Sequence, residues 1–152
     1  MSGERQEEVK GEKPAGECWP VEHTADIGLR CTAPSLERLF ECAARAMFEI
    51  ITPLDSVKPA HTVPVAVKAA TVEELFVNWL EELLYIWESN RMLLSRFAVR
   101  KVSSHSLEAE VAGEAYDPKR HELQSEIKAA TYHDLRIERK EDNWGVQVIF
   151  DV

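Results

Sequence analysis

The hydrophobic period of this chain switches from two to about 3.6 and back, twice, before settling at two, and that order leaves few architectures open. Ile27, Leu29 and Cys31 alternate with Gly28, Arg30 and Thr32, the pattern of a strand buried on one face. Ala33-Pro34-Ser35 breaks it, and Ser35 is a good helix N-cap. Leu36, Leu39, Phe40, Ala43, Met47 and Ile50 then recur at helical spacing until Thr52-Pro53, where the proline stops propagation. Val63, Val65 and Val67 alternate again, and Pro64 within that run predicts an edge strand. Thr71 and Glu74 form a capping box. The helix it opens carries Leu75, Phe76, Trp79, Leu80, Leu83, Ile86 and Trp87 on a wide stripe, which predicts a central core helix. Aromatic residues at this spacing are explained by packing.

From Phe97 onward the signals are those of strands. Phe97, Val99 and Lys101 alternate loosely, and Leu107, Ala109 and Val111 oppose Glu108 and Glu110. Tyr116 to Lys119 reads as a turn. Ile127, Ala129 and Thr131 begin another strand, which continues or restarts at Leu135 and Ile137. After a polar turn at 140–143, Trp144, Val146, Val148 and Phe150 form the last one. Strand, helix, strand, helix and then several strands predict an α+β fold, with two helices packed on a mostly antiparallel sheet.

The 152 residues suit a single domain. Residues 1–17 are charged and hold Gly and Pro, which predicts a disordered N-terminal extension followed by a folded domain over 18–152. A net charge of −9 argues against direct nucleic-acid binding. An acidic face can dock on a basic protein or collect divalent cations, or it can simply keep the chain soluble. Cys18, Cys31 and Cys42 include no C-x-x-C pair and are odd in number, which argues against a disulfide framework and a zinc knuckle. Cys42 falls in the apolar pattern of the first helix and reads as a buried small residue. No signal peptide opens the chain, and no apolar run approaches the roughly 18 residues of a membrane span. A cytoplasmic protein with no membrane partner is expected.

Three places concentrate groups able to do chemistry. Glu22-His23-Thr24-Ala25-Asp26 puts three ionisable side chains just before the first strand. Glu126 to His133 sets Lys128 among small and apolar strand residues, where a buried ammonium would need a partner. The sequence ends Ile149-Phe150-Asp151-Val152, which sets the Asp151 carboxylate beside a terminal one. Each has a plain structural reading too. His23 and Asp26 can cap a turn, Lys128 can snorkel from an edge strand, and Asp151 can be an exposed strand end. Spacing alone leaves the function open.

The string HTADIG, the helices LERLFECAARAMFEI and VEELFVNWLEELLYIWE, the stretch EIKAATYHDL and the ending WGVQVIFDV, in this order and spacing, resemble the archease family. The resemblance spans about Trp19 to Val152. HTAD followed by KAxTYH and a near-terminal aspartate is specific only as a set. The resemblance implies an α+β fold with a divalent metal site at one end, its ligands carried over to Asp26, Asp151 and Val152. It makes Lys128 the residue important for activity, with Glu22, His23 and His133 as neighbours behind the ligands. All-oxygen donors suit calcium, or manganese or magnesium. Two positions depart from the family: Glu22 stands where many relatives have Asp, and the ending is Asp-Val rather than Asp-Ile.

The implied function is that of an accessory factor, not an enzyme, for an RtcB-type RNA ligase in tRNA splicing. It promotes the ligase's guanylylation and repeated turnover, and meets RNA only through the ligase. A stand-alone metal-dependent phosphohydrolase is the rival, since paired carboxylates near a His and a Lys can polarise a water. The chain has no P-loop, H-E-x-x-H or nucleophile elbow to support it. A general chaperone is a third reading, with no marked client-binding surface behind it.

Overall fold

The computed structural model describes residues 16–22 and 26–152. Strand β1 (Glu17–Glu22) leads to β2 (Ile27–Ala33), then α1 (Leu36–Ile51) and a 3-10 turn at Leu54–Ser56. Next come β3 (His61–Lys68) and α2 (Val72–Asn90). The remainder is β4 (Met92–Val102), β5 (Ser106–Ala115), β6 (Ala129–Lys140) and β7 (Asn143–Asp151). The fold is α+β, as expected, but its strands form two antiparallel sheets, in the orders β1-β2-β7-β6 and β3-β5-β4.

Both helices begin where their caps predict. Ser35 Oγ accepts the Arg38 N–H at 3.2 Å, and Thr71 Oγ1 accepts the Glu74 N–H at 3.1 Å. Such a cap contributes about 1 kcal/mol. The Glu74 carboxylate turns back to the Ala70 N–H at 2.6 Å, one residue before the amide a capping box usually engages. Phe40 of α1 meets Phe76 of α2 edge to face at 5.2 Å, and the buried Trp79 indole N–H donates to the Phe40 carbonyl at 2.9 Å. Helix α1 packs on β4 and β2, and α2 on β6 and β3, so each helix touches both sheets. That contact on two sides is why the stripe on α2 is so wide.

The irregular stretches of sequence are irregular in space. The register of β4 against β5 shifts between Leu94 and Arg96 and again between Val99 and Lys101, which explains the loose alternation there. Strand β6 shifts between Thr131 and Arg136, so Leu135 and Ile137 continue it after a bulge rather than start a new strand. Gly113 of β5 allows no side chain, because a Cβ there would lie 1.7 Å from the Leu93 carbonyl oxygen. Pro64 does lie on an edge strand, β3.

Strand β1 was not expected from the sequence. It carries Pro20, takes the sheet edge as a proline requires, and exposes Trp19. Glu17 therefore belongs to β1, not to the extension, and residues 1–15 of that extension lie outside the described residues. The cysteines need a larger correction. Cys18 and Cys31 face each other across β1 and β2 and are joined by a disulfide, and Cys42 Sγ of α1 lies 2.6 Å from Cys18 Sγ. Cys42 is only half-buried, and spacing along the chain gave no sign that the three would meet.

Candidate metal-binding tip

Three strands bring the proposed ligands to one end of the four-stranded sheet. Strands β2 and β7 pair Ile27 with Phe150, so Asp26 is next in register to Asp151. On the other side of β7, Ala129 of β6 pairs with Asp151, and the Lys128 N–H donates to the Asp151 carbonyl at 2.7 Å. Residues far apart in sequence, Asp26, Lys128, Asp151 and Val152, thus come together through the ladder. Asp26 is half-buried, and Asp151, Val152 and Lys128 are exposed.

Of the two readings the sequence left for Lys128, the structure bears out the solvated one beside an edge strand. It sits one residue before β6, on the solvent side, between buried Ile127 and Ala130. The cost of a buried ammonium therefore does not arise. No carboxylate among the described residues pairs with its side chain. The segment is held from behind, where Glu81 of α2 accepts the Ala130 N–H at 2.7 Å and Thr131 Oγ1 donates to the Ile149 carbonyl at 2.8 Å. Sequence reasoning missed Glu81. A carboxylate bordering the apolar stripe of α2 was the available signal.

Glu22 closes β1 opposite Ile27, and His23 lies outside the described residues. His133 stands in the β6 bulge, where its Nε2 is 3.3 Å from the Asp134 carboxylate and Asp134 adopts a left-handed φ of 54°. The neighbouring Tyr132 phenol is pushed above its ordinary range by burial, and then by the charges of Glu74 and Glu81.

The donor chemistry fits a hard cation. Two aspartate carboxylates and a main-chain oxygen of Val152 offer oxygen only, which suits calcium, manganese or magnesium over a soft metal. Calcium takes roughly six to eight oxygens, so water or another molecule would complete the shell. The arrangement is an exposed strand end rather than a water-excluding pocket, unlike the enclosed sites in which hydrolytic chemistry is commonly run.

A second charged cluster is structural. Glu114 of β5 accepts from Arg120 at 2.6 Å, the Lys58 N–H at 2.8 Å and His121 Nε2 at 2.9 Å. His121 Nδ1 accepts the Asp117 N–H at 2.9 Å, which fixes the loop after β5. The Arg120 hydrogen bond, helped by the other two donors and opposed by burial, lowers the Glu114 pKa to about 2.

Residues 20–152 match the sequence profile of the Archease protein family (MTH1598/TM1083). The chain is 36% identical to a protein archease of Methanopyrus kandleri over 135 residues, covering 87% of this chain and 96% of that protein. It is also 36% identical to a protein archease of Pyrococcus furiosus, covering 86% and 95% of the two chains. The solution structure of Methanobacterium thermoautotrophicum protein 1598 superposes with a TM-score of 0.73 at 31% identity, covering 89% of this chain and 98% of that one. A Thermotoga maritima crystal structure described as an archease and possible chaperone shares the fold, with a TM-score of 0.61 at 24% identity and coverage of 88% and 96%. Among the described residues, no helix is long and apolar enough to cross a membrane.

Proposed function

Because this chain belongs to the archease family, we propose that it is a non-catalytic cytoplasmic partner of an RtcB-type RNA ligase in tRNA splicing. It docks transiently, promotes guanylylation of the ligase so that the ligase turns over repeatedly, and meets RNA only through it. Asp26, Asp151 and the main-chain oxygen of Val152 hold a divalent cation, calcium ahead of manganese or magnesium. When bound, the ion supplies positive charge with coordination positions left for oxygens of the partner or its nucleotide. Lys128 adds a compact ammonium that can meet phosphate or a ligase carboxylate. Glu22, His23 and His133 would serve as supporting groups for these ligands.

The observation that carries this reading is the convergence of Asp26, Lys128 and Asp151 on one exposed strand end through the pairings of β2, β7 and β6. An exposed donor set completed by docking suits an activator better than a hydrolase working alone. The deciding experiment incubates the pure protein with GTP and RNA, with and without an RtcB-type ligase. Faster ligase guanylylation and multiple rounds of ligation, with no GTP or phosphoester hydrolysis by this protein alone, is the expected result. Hydrolysis without the ligase, or a ligase rate unchanged by its presence, would overturn it.

A further inference from the structure

The three cysteines of the chain come from three different elements, β1, β2 and α1, and their sulfurs all lie within 4.8 Å of one another. Cys18 and Cys31 are direct cross-strand partners with Cα atoms 4.1 Å apart, and Cys42 reaches them from the helix packed alongside. Cys31 has no solvent exposure, whereas Cys18 and Cys42 are half-buried and leave a route from outside. A disulfide needs two of these sulfurs, and it leaves the third aimed at the same point. We propose that in the reduced protein Cys18, Cys31 and Cys42 form a three-thiolate site for a soft d10 metal ion of the Cu(I) or Zn(II) class.

The chemistry distinguishes this site from the oxygen-lined tip. Thiolate donors select soft or borderline metals such as Cu(I) and Zn(II), and carboxylates select hard ones. Cys31 is five residues along β2 from Asp26, about 16 Å at ~3.3 Å per strand residue, so the two sites do not share ligands. A metal–sulfur bond of about 2.3 Å in trigonal array sets the sulfurs about 4 Å apart, within reach of side-chain rotation alone. A Zn(II) ion would add a water as fourth ligand, and Cu(I) is satisfied by three sulfurs. The disulfide is then the oxidised, metal-free form. A dithiol reductant delivers two electrons and two protons to break the Cys18–Cys31 bond, leaves as its own disulfide, and yields two thiols beside Cys42. Metal entry releases protons from the thiols it ligates. Burial, with Glu17 adding to it and Arg45 opposing, pushes the Cys42 pKa up to about 11. The free thiol is thus a poor nucleophile at neutral pH, and a cation is what would draw off its proton. Ligands on two strands and a helix also come pre-positioned.

The inference does not depend on the ligase reading and can be tested without a ligase. Full-length protein, reduced with a phosphine under anaerobic conditions, is titrated with Cd(II) as a spectroscopic stand-in for Zn(II), and separately with Cu(I) against a chromophoric chelator. One equivalent should give a sulfur-to-metal charge-transfer band and a raised melting temperature, and any Cd(II) taken by the oxygen-lined tip should add nothing to that band. Cys18→Ser and Cys42→Ser should each weaken binding at least tenfold, while Asp26→Ala and Asp151→Ala leave it unchanged. Whichever of the two arms survives competition at equal concentrations identifies the ion. No charge-transfer band with either metal, or wild-type affinity in a folded Cys42→Ser protein, would overturn the proposal. Cys31→Ser is avoided because that side chain is fully buried. If Cys42→Ser does not fold, Cys18→Ser decides on the same criteria.

Discussion

The Glu81 carboxylate accepts the Ala130 main-chain N–H at 2.7 Å, tying the middle of α2 to the edge strand that follows Lys128. Strand β6 has β7 on one side only, so its outward amides would otherwise point at nothing. Glu73 performs the same service for the Ile137 N–H at 3.3 Å, and Glu41 of α1 for the Val99 N–H on edge strand β4 at 2.7 Å. Removing Glu81 leaves a part-buried donor unsatisfied at the place where Lys128 is positioned. Glu81→Ala should therefore cost about 1–3 kcal/mol in a denaturant melt and speed hydrogen exchange at Ala130. Glu81→Gln keeps an acceptor and should recover most of the loss. Unchanged exchange at Ala130 in the alanine variant would show that the bond positions nothing.

Lys128→Ala should separate stability from function. An exposed lysine with no paired carboxylate among the described residues contributes little to folding, so the melt should move by no more than ~0.5 kcal/mol. If its ammonium meets a phosphate or a ligase carboxylate, losing that charge-assisted contact costs ~1.5–3 kcal/mol, roughly ten- to a hundredfold in rate. Lys128→Arg should rescue only in part, because a planar fork does not replace a compact charge. The readout is ligase guanylylation at limiting amounts of this protein. Full stimulation by a folded Lys128→Ala protein would leave Lys128 as a plain solvated side chain.

Asp26 and Asp151, next in register across β2 and β7, should behave as one cation site. Calorimetric titration with calcium is expected to show binding that either Asp26→Ala or Asp151→Ala abolishes, and the double variant should be no worse than either single one. That lack of additivity is the mark of a shared site. Equal binding by parent and variants would end the idea.

Acid should unfasten the loop after β5 in a definite window. The folded Glu114 pKa of about 2 lies below its ordinary 4.5. The unfolded state therefore binds the extra proton first as pH falls. The Glu114 contribution is complete above about pH 4.5 and is lost as pH drops towards about 2. Melting temperatures taken across that window should fall more steeply for the parent than for Glu114→Gln, which holds no charge to lose. Parallel slopes would mean that the hydrogen bonds from Arg120, Lys58 and His121 do not favour the ionised form.

Local signals carried most of the fold and only part of the tip. Ser35 and Thr71 mark both helix starts because capping is decided within four residues. The strands of period two were equally plain, except where register shifts in β4 and the bulge at Thr131–Arg136 in β6 put the alternation out of phase. Strand β1 escaped notice because Pro20 masks its pattern, and a proline is tolerated there only because the strand is an edge. The division into two sheets, the meeting of Cys18, Cys31 and Cys42, and the hold of Glu81 on Ala130 depend on long-range pairing, which periodicity does not encode. Asp26 and Asp151 drew attention as residue types in suggestive company. Their adjacency follows from the β2–β7 register alone, and the family resemblance supplied what spacing did not.

The placement of β7 between β2 and β6 also has a consequence for how the chain is made. Strand β2 emerges from the ribosome early, yet its inner neighbour, Asn143–Asp151, is the last of the described strands to be synthesised. Until then the apolar face that β2 and α1 share lacks one wall, and the closing contact spans more than a hundred residues of chain. Such non-local pairing is slow and leaves a strand edge open to neighbours while it waits. Nascent chains stalled before Asn143 should therefore stay protease-sensitive around β2, and protection should appear only once the final strand has cleared the exit tunnel.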